Sequence, residues 1–154
     1  MNAGPEYETP KAFPDNTYYR INTLPDSCIA AKKTAEDIGL NAVILTSFLE
    51  GEARDAGTIS ASIARQIQSY DTPFAAPCVI LSSGEVTTLI SDNSSIKGHG
   101  GPSLEMMTGF AMAAEAVPGA CMLSIDSEGT DGTSPAAGAI TDSTTLSEAK
   151  RHGI

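Results

Sequence analysis

Apolar and polar positions along the chain alternate in two rhythms, and their order predicts a layered α/β arrangement. From Pro25 onward, Ile29, Ala31, Ala35 and Ile38 recur at helical spacing, with Asp26 or Ser27 placed to cap the start and Gly39 to stop the end. Asn41-Ala-Val-Ile-Leu-Thr46 is then a short, nearly continuous apolar run, as in a parallel strand covered on both faces. Ala53, Ala56, Ile59, Ile63 and Ile67 step by 3, 3, 4 and 4 residues and draw one apolar stripe on a helix from about Glu52 to Tyr70. Cys78 to Ser82 reads as a second buried-type strand. Gly84 interrupts it before Val86-Thr-Thr-Leu-Ile90, so SSGE is either a tight connection or a bulge. Leu104, Met106, Met107, Phe110, Ala111 and Ala114 populate a helix that Pro118-Gly119 must end. Ala120 to Asp126 is a further strand, and Thr145 or Ser147 begins a last short helix ended by Gly153.

Helices alternating with short apolar strands imply a layered α/β domain with a mostly parallel or mixed sheet flanked by helices. Residues 1–20, with Pro5, Pro10 and Pro14 among acidic and aromatic residues, suit a strap or linker. At 154 residues a compact chain can bury roughly 68–70% of its unfolded surface, enough for a core without staples. The charge excludes more than the length does. Nineteen Asp and Glu against nine Lys and Arg give a net charge of −10, so nucleic acid and anionic membranes are poor partners. Three cysteines, Cys28, Cys78 and Cys121, lie 50 and 43 residues apart without a CxxC pair, which disfavours a disulfide framework or zinc. Cys78 and Cys121 sit in apolar runs and are expected to be buried thiols in a reducing compartment, and the first residues carry charges and prolines rather than the apolar stretch expected of a signal segment. The expected location is the cytoplasm.

Two glycine-rich loops follow strands, where ligands of α/β folds collect. Lys97-Gly98-His99-Gly100-Gly101-Pro102-Ser103 runs into a helix, whose free N–H groups and positive dipole end favour an anion. Lys97 and His99 could add donors, and the paired glycines remove Cβ atoms from the approach; a flexible loop with no ligand is the alternative. Asp126, Glu128 and Asp131 gather in DSEGTDG, where carboxylates could hold a hard divalent cation, orient a hydroxyl, or simply be solvated in a turn. Glu85 is a lone acid beside Gly84. With His99 and His152 as the only imidazoles, no nucleophilic triad can be assembled.

SSGEVTT (82–88), GHGGPSLE (98–105) and SEGTDGTSPAAGA (127–139) resemble, in order, the GGETT, GxGGRNQE and TDGxDGPTDAAGA motifs of the MOFRL domain of glycerate 2-kinases, formerly described as hydroxypyruvate reductases. The matching positions are Gly84, Glu85 and Thr87; Gly98, Gly100, Gly101 and Glu105; and Gly129, Asp131, Gly132, Ala136, Ala137 and Gly138. Residues 30–57 are similar to the stretch that ends the larger N-terminal α/β domain in this family. The resemblance implies an organisation of a strap (1–20), the end of that domain (21–76) and a MOFRL-like domain (77–154) lacking a closing segment. It also implies ATP-dependent phosphorylation of glycerate with Mg2+ in an interdomain cleft. Asp131 and Glu85 would then be catalytic, Glu128 and Asp131 metal ligands, and Lys97, Gly98, His99, Gly100, Gly101 and Ser103 the substrate or phosphate contacts. Pro102 replaces an Arg of the family motif, so a bidentate anion donor is absent there. A chain of this extent is expected to be inactive alone and to self-associate or pair with the missing domain. The alternative is a non-catalytic module that binds a small anionic metabolite or a partner chain.

Overall fold

The computed structural model describes residues 9–90 and 98–154. Lys97, Pro5 and residues 91–97 of the first glycine-rich loop lie outside the described residues. Residues 9–23 carry no regular element and are mostly exposed. Helix α1 spans Leu24–Asp37, and its N-cap is Thr23, whose hydroxyl accepts from the Asp26 N–H. The helix therefore starts before the expected Asp26 or Ser27, because Pro25 is tolerated inside a first turn, where its missing N–H is not needed.

Strand β1 spans Asn41–Glu52 and pairs in parallel with β2, Cys78–Thr87. The register slips between Ile44 and Thr46 and again between Thr46 and Leu49. The irregularity thus falls on β1, and β2 runs unbroken through Gly84 rather than stopping for a separate strand at Val86–Ile90. Gly84 keeps the ladder intact: a Cβ there would meet the backbone of Leu49, its register partner.

Helix α2, Ala53–Tyr70, crosses α3, Pro102–Ala114, and the two share most of the core. Ala53, Ala56, Met106 and Met107 are buried together against Leu49, Val86, Met122 and Ala139, while Ala61, Phe110 and Ala114 form a second cluster. The isoleucine stripe expected to face inward is only partly the buried one: Ile67 is buried, but Ile59 is 59% exposed. The face turned to α3 is the small one, Ala53, Gly57 and Ala61, because the helix backbones approach too closely for larger side chains. A Cβ on Gly57 would fall on the Met106 carbonyl and 2.7 Å from the Phe110 nitrogen.

Strands β3, Cys121–Ile125, and β4, Gly138–Asp142, form a separate antiparallel pair under α3, and α4, Thr145–Arg151, follows. The sequence pattern did not announce β4, whose only large apolar residue is Ile140. Together the two pairs give helices on a parallel ladder and on a small antiparallel one. The β1–β2 ladder and the α2–α3 crossing join residues on both sides of position 76. Leu123, Ile125 and Ile140 point outward, and so does Cys121, which is exposed. Cys78 is half-buried, and Cys28, the fully buried thiol, donates to the Ser83 hydroxyl at 3.3 Å. Among the described residues no helix is long and apolar enough to cross a membrane.

Candidate functional site

Helix α3 begins without a local side-chain cap, since its N-cap is Gly101 and Pro102 follows. A buried helix start must find acceptors for its first N–H groups elsewhere. They come from the second glycine-rich loop. Asp131 accepts the Ser103 N–H through Oδ1 at 3.0 Å and the Leu104 N–H through Oδ2 at 2.8 Å. Its side chain is completely buried. A carboxylate held by two amides at the positive end of a helix offsets much of the cost of its burial.

The loops touch at further points. Thr133 donates its N–H to the Gly100 carbonyl at 2.9 Å, and its hydroxyl accepts the Gly100 N–H at 3.2 Å. The Asp131 N–H reaches the Ala136 carbonyl at 2.8 Å, closing its own turn. Beneath them the hydroxyls of Ser124 and Ser103 meet at 3.0 Å, both buried. Gly101 lies against Asp131 so closely that a Cβ would fall 2.6 Å from Cγ, and a Cβ on Gly132, which has φ +56°, would strike the Gly100 carbonyl.

The residues nominated from sequence separate into an inner and an outer group. Asp131, Ser103, Gly100 and Gly101 are brought together at the buried junction. Gly98 and His99 are exposed at the outer end of the first loop, and Glu128 is exposed on the second. The Glu128 N–H closes an Asx turn onto Asp126 Oδ1 at 2.8 Å, leaving the side chain in solvent. Glu85 is exposed on β2, in register with Glu50 of β1, and makes no hydrogen bond to the described residues of either loop. Thr133 and Ser124 went unnoticed in the sequence. A helix start with neither Ser, Thr, Asp nor Asn at its N-cap signals a cap from afar, which is Asp131, but nothing in the sequence pattern sets Thr133 or Ser124 apart from other loop and strand hydroxyls.

Glu105, on the first turn of α3, is paired with Arg54 of α2 at 3.0 Å, so its charge is turned to the neighbouring helix rather than to the loop. Among the described residues no three His, Cys, Asp or Glu side chains gather as a metal-ligand set. With the Asp131 oxygens turned to backbone amides and Glu128 in solvent, the described carboxylates do not fit a magnesium site by themselves.

Comparison with known proteins places this arrangement among relatives. The model of the MOFRL family matches residues 78–154. The chain is 34% identical over 146 residues to a D-glycerate 2-kinase of Thermotoga maritima, covering 95% of this chain and 34% of that protein. It is 37% identical over 148 residues to a putative hydroxypyruvate reductase of Agrobacterium vitis, covering 96% of this chain and 33% of that one. The crystal structure of a Thermotoga maritima glycerate kinase superposes with a TM-score of 0.81 at 34% identity, over 96% of this chain and 34% of that structure. The chain thus spans about a third of the length of the proteins it matches.

Proposed function

The chain belongs to the MOFRL family, and on that premise we propose that it forms the part of an ATP-dependent glycerate 2-kinase that presents two fused glycine-rich loops to the reacting phosphate and acceptor. The observation that carries the reading is the junction of these loops, which ties the loop bearing exposed Gly98 and His99 to the loop bearing exposed Glu128; we take these outer ends together as the rim that faces the substrates. Phosphoryl transfer rests on positioning and charge stabilisation more than on covalent chemistry, and a rigid rim supplies positioning. Gly98 and His99 offer donors to an anionic oxygen of the nucleotide or of glycerate, and Lys97 would extend that donor set. Glu128 is the exposed carboxylate suited to orient or deprotonate the 2-hydroxyl. Glu85 we assign to the strand surface rather than to the chemistry.

The nucleotide and the remaining ligands of a magnesium ion would be held largely by residues of the other two-thirds of a family enzyme, across a cleft. The ion would neutralise phosphate charge; the described residues here contribute no complete set for it. The outward apolar face of Leu123, Ile125 and Ile140 is where we seat that remaining domain or a second copy, and the cytoplasm is the compartment we assign. A second reading, a non-catalytic module for a small anionic metabolite, is favoured by Pro102 standing where the resembling motif has Arg.

The test is a chimera in which this chain replaces the matched third of the Thermotoga maritima enzyme. We expect ADP release dependent on glycerate and magnesium from the chimera, and none from the 154-residue chain alone. A folded chimera that binds glycerate calorimetrically without releasing ADP would favour the non-catalytic reading.

A further inference from the structure

We infer that Asp131 is a positioning residue: its carboxylate is an internal anion that fills the N-terminus of α3 and thereby fixes the loop rim that the proposed site presents. The inference deepens the reading above and rests on it for what the rim faces. A general base or metal ligand must reach substrate or ion, and Asp131 is wholly buried with one oxygen on the Ser103 amide and the other on the Leu104 amide. These are the amides that a substrate phosphate at a helix start would use. The chain has supplied its own occupant instead.

The glycines acquire a different purpose in consequence. Gly101 lacks a Cβ because Asp131 stands in that space, and Gly132 lacks one because the Gly100 carbonyl stands there. Close approach is needed, but between two loops of the chain rather than between the chain and a phosphate. Five hydrogen bonds then lock the loops: the two that Asp131 accepts and the three that join Gly100 with Thr133. An exogenous anion is left the outer end, at Gly98 and His99, both exposed.

The experiment is amide NMR on the 154-residue chain, which needs no turnover. In the wild type the Ser103 and Leu104 protons should lie downfield and exchange at least about tenfold more slowly than that of Gly98. Exchange as fast as Gly98 would overturn the assignment whether or not any variant folds. In Asp131→Ala both protection and downfield shift should be lost, and sodium formate, which replaces the deleted carboxylate, should restore them where sodium chloride does not. Failure of formate to restore them in a folded variant overturns the role, since a merely space-filling side chain predicts no rescue by an anion. Inorganic phosphate should move the Gly98 and His99 signals and leave Ser103 and Leu104 in place; movement of Ser103 and Leu104 first would also overturn it. Phosphate that moves none of the four overturns the anion reading of the rim and leaves the Asp131 assignment to the exchange data, so the two failures are told apart.

Discussion

Gly109 of α3 lies directly against the carbonyl of Arg54 in α2, and a Cβ at that glycine would stand only 3.1 Å from the Arg54 Cα and closer still to its carbonyl. Gly57 repeats the arrangement from the other helix, against Met106 and Phe110. Both glycines sit inside helices, where alanine is ordinarily better by about 1 kcal/mol. Here the obstructing atoms are backbone, which cannot swing aside.

Gly57→Ala and Gly109→Ala should therefore invert the usual preference and lower stability by about 1–3 kcal/mol, the range for forcing extra methyl groups into a packed core. Urea midpoints of the two variants check this. A raised midpoint in either would mean the helices cross with more room than the structure gives them.

That crossing marks a limit of what the sequence disclosed. The order of α1, β1, α2, β2, α3 and β3 was legible from periodicity, because each carries an apolar run or stripe of its own, while α4 was legible only from Thr145 or Ser147 at its start and Gly153 after its end. The direction α2 faces was not, since Ile59 and Ile63 outweigh Gly57 in any hydrophobic pattern, whereas close packing of two helices selects the smallest residues. Strand β4 escaped because a five-residue strand with one large apolar side chain has no period to detect. The two loops were legible as the chemistry-bearing ones, yet their inner and outer halves were not: DGT reads alike whether its aspartate faces solvent or caps a distant helix.

Ser124 and Ser103 join hydroxyl to hydroxyl in a buried position. Removing one partner strands the other, so Ser124→Ala should cost about 1–3 kcal/mol, while Ser103→Ala combined with Ser124→Ala should cost less than the sum of the single changes. A double-variant cycle in urea measures the coupling. Strict additivity would show that water or another group satisfies each hydroxyl independently.

Asp142 caps α4: its Oδ1 accepts the Thr144 hydroxyl and N–H at 2.8 Å and the Thr145 N–H at 3.1 Å. These bonds, that of the Thr144 side chain foremost, hold its pKa below the ordinary carboxylate value of 3.8. A lowered folded pKa means that the unfolded chain binds the proton more readily, so the stabilisation is complete above the ordinary value and is lost as pH falls through the lowered one. Asp142→Asn should thus be less stable than wild type at neutral pH, and the gap should close below pH 3.8. Parallel unfolding curves across that range test the sign; a gap that widens on acidification would be incompatible with the cap.

Glu128 and Glu85 offer the sharpest test of which carboxylate the chemistry uses. Both are exposed acids within resembling motifs, so composition and motif matching do not separate them. Their settings do. Glu128 lies on the loop that Asp131 and Thr133, a few residues on, tie to the loop of Gly98 and His99, whereas Glu85 sits on β2 beside Glu50. If the rim carboxylate orients or deprotonates the acceptor hydroxyl, Glu128→Gln in the Thermotoga chimera should lower kcat by about 10²–10⁴-fold with little change in the thermal midpoint. Glu85→Gln should stay within about threefold, since a surface substitution away from the reacting atoms shifts stability by no more than about 0.5 kcal/mol and touches no substrate. Coupled ADP-release assays on both variants, with midpoints measured on the same samples, distinguish the cases. A large loss in Glu85→Gln beside an active Glu128→Gln would move the acceptor from the loop rim to the edge of the parallel ladder.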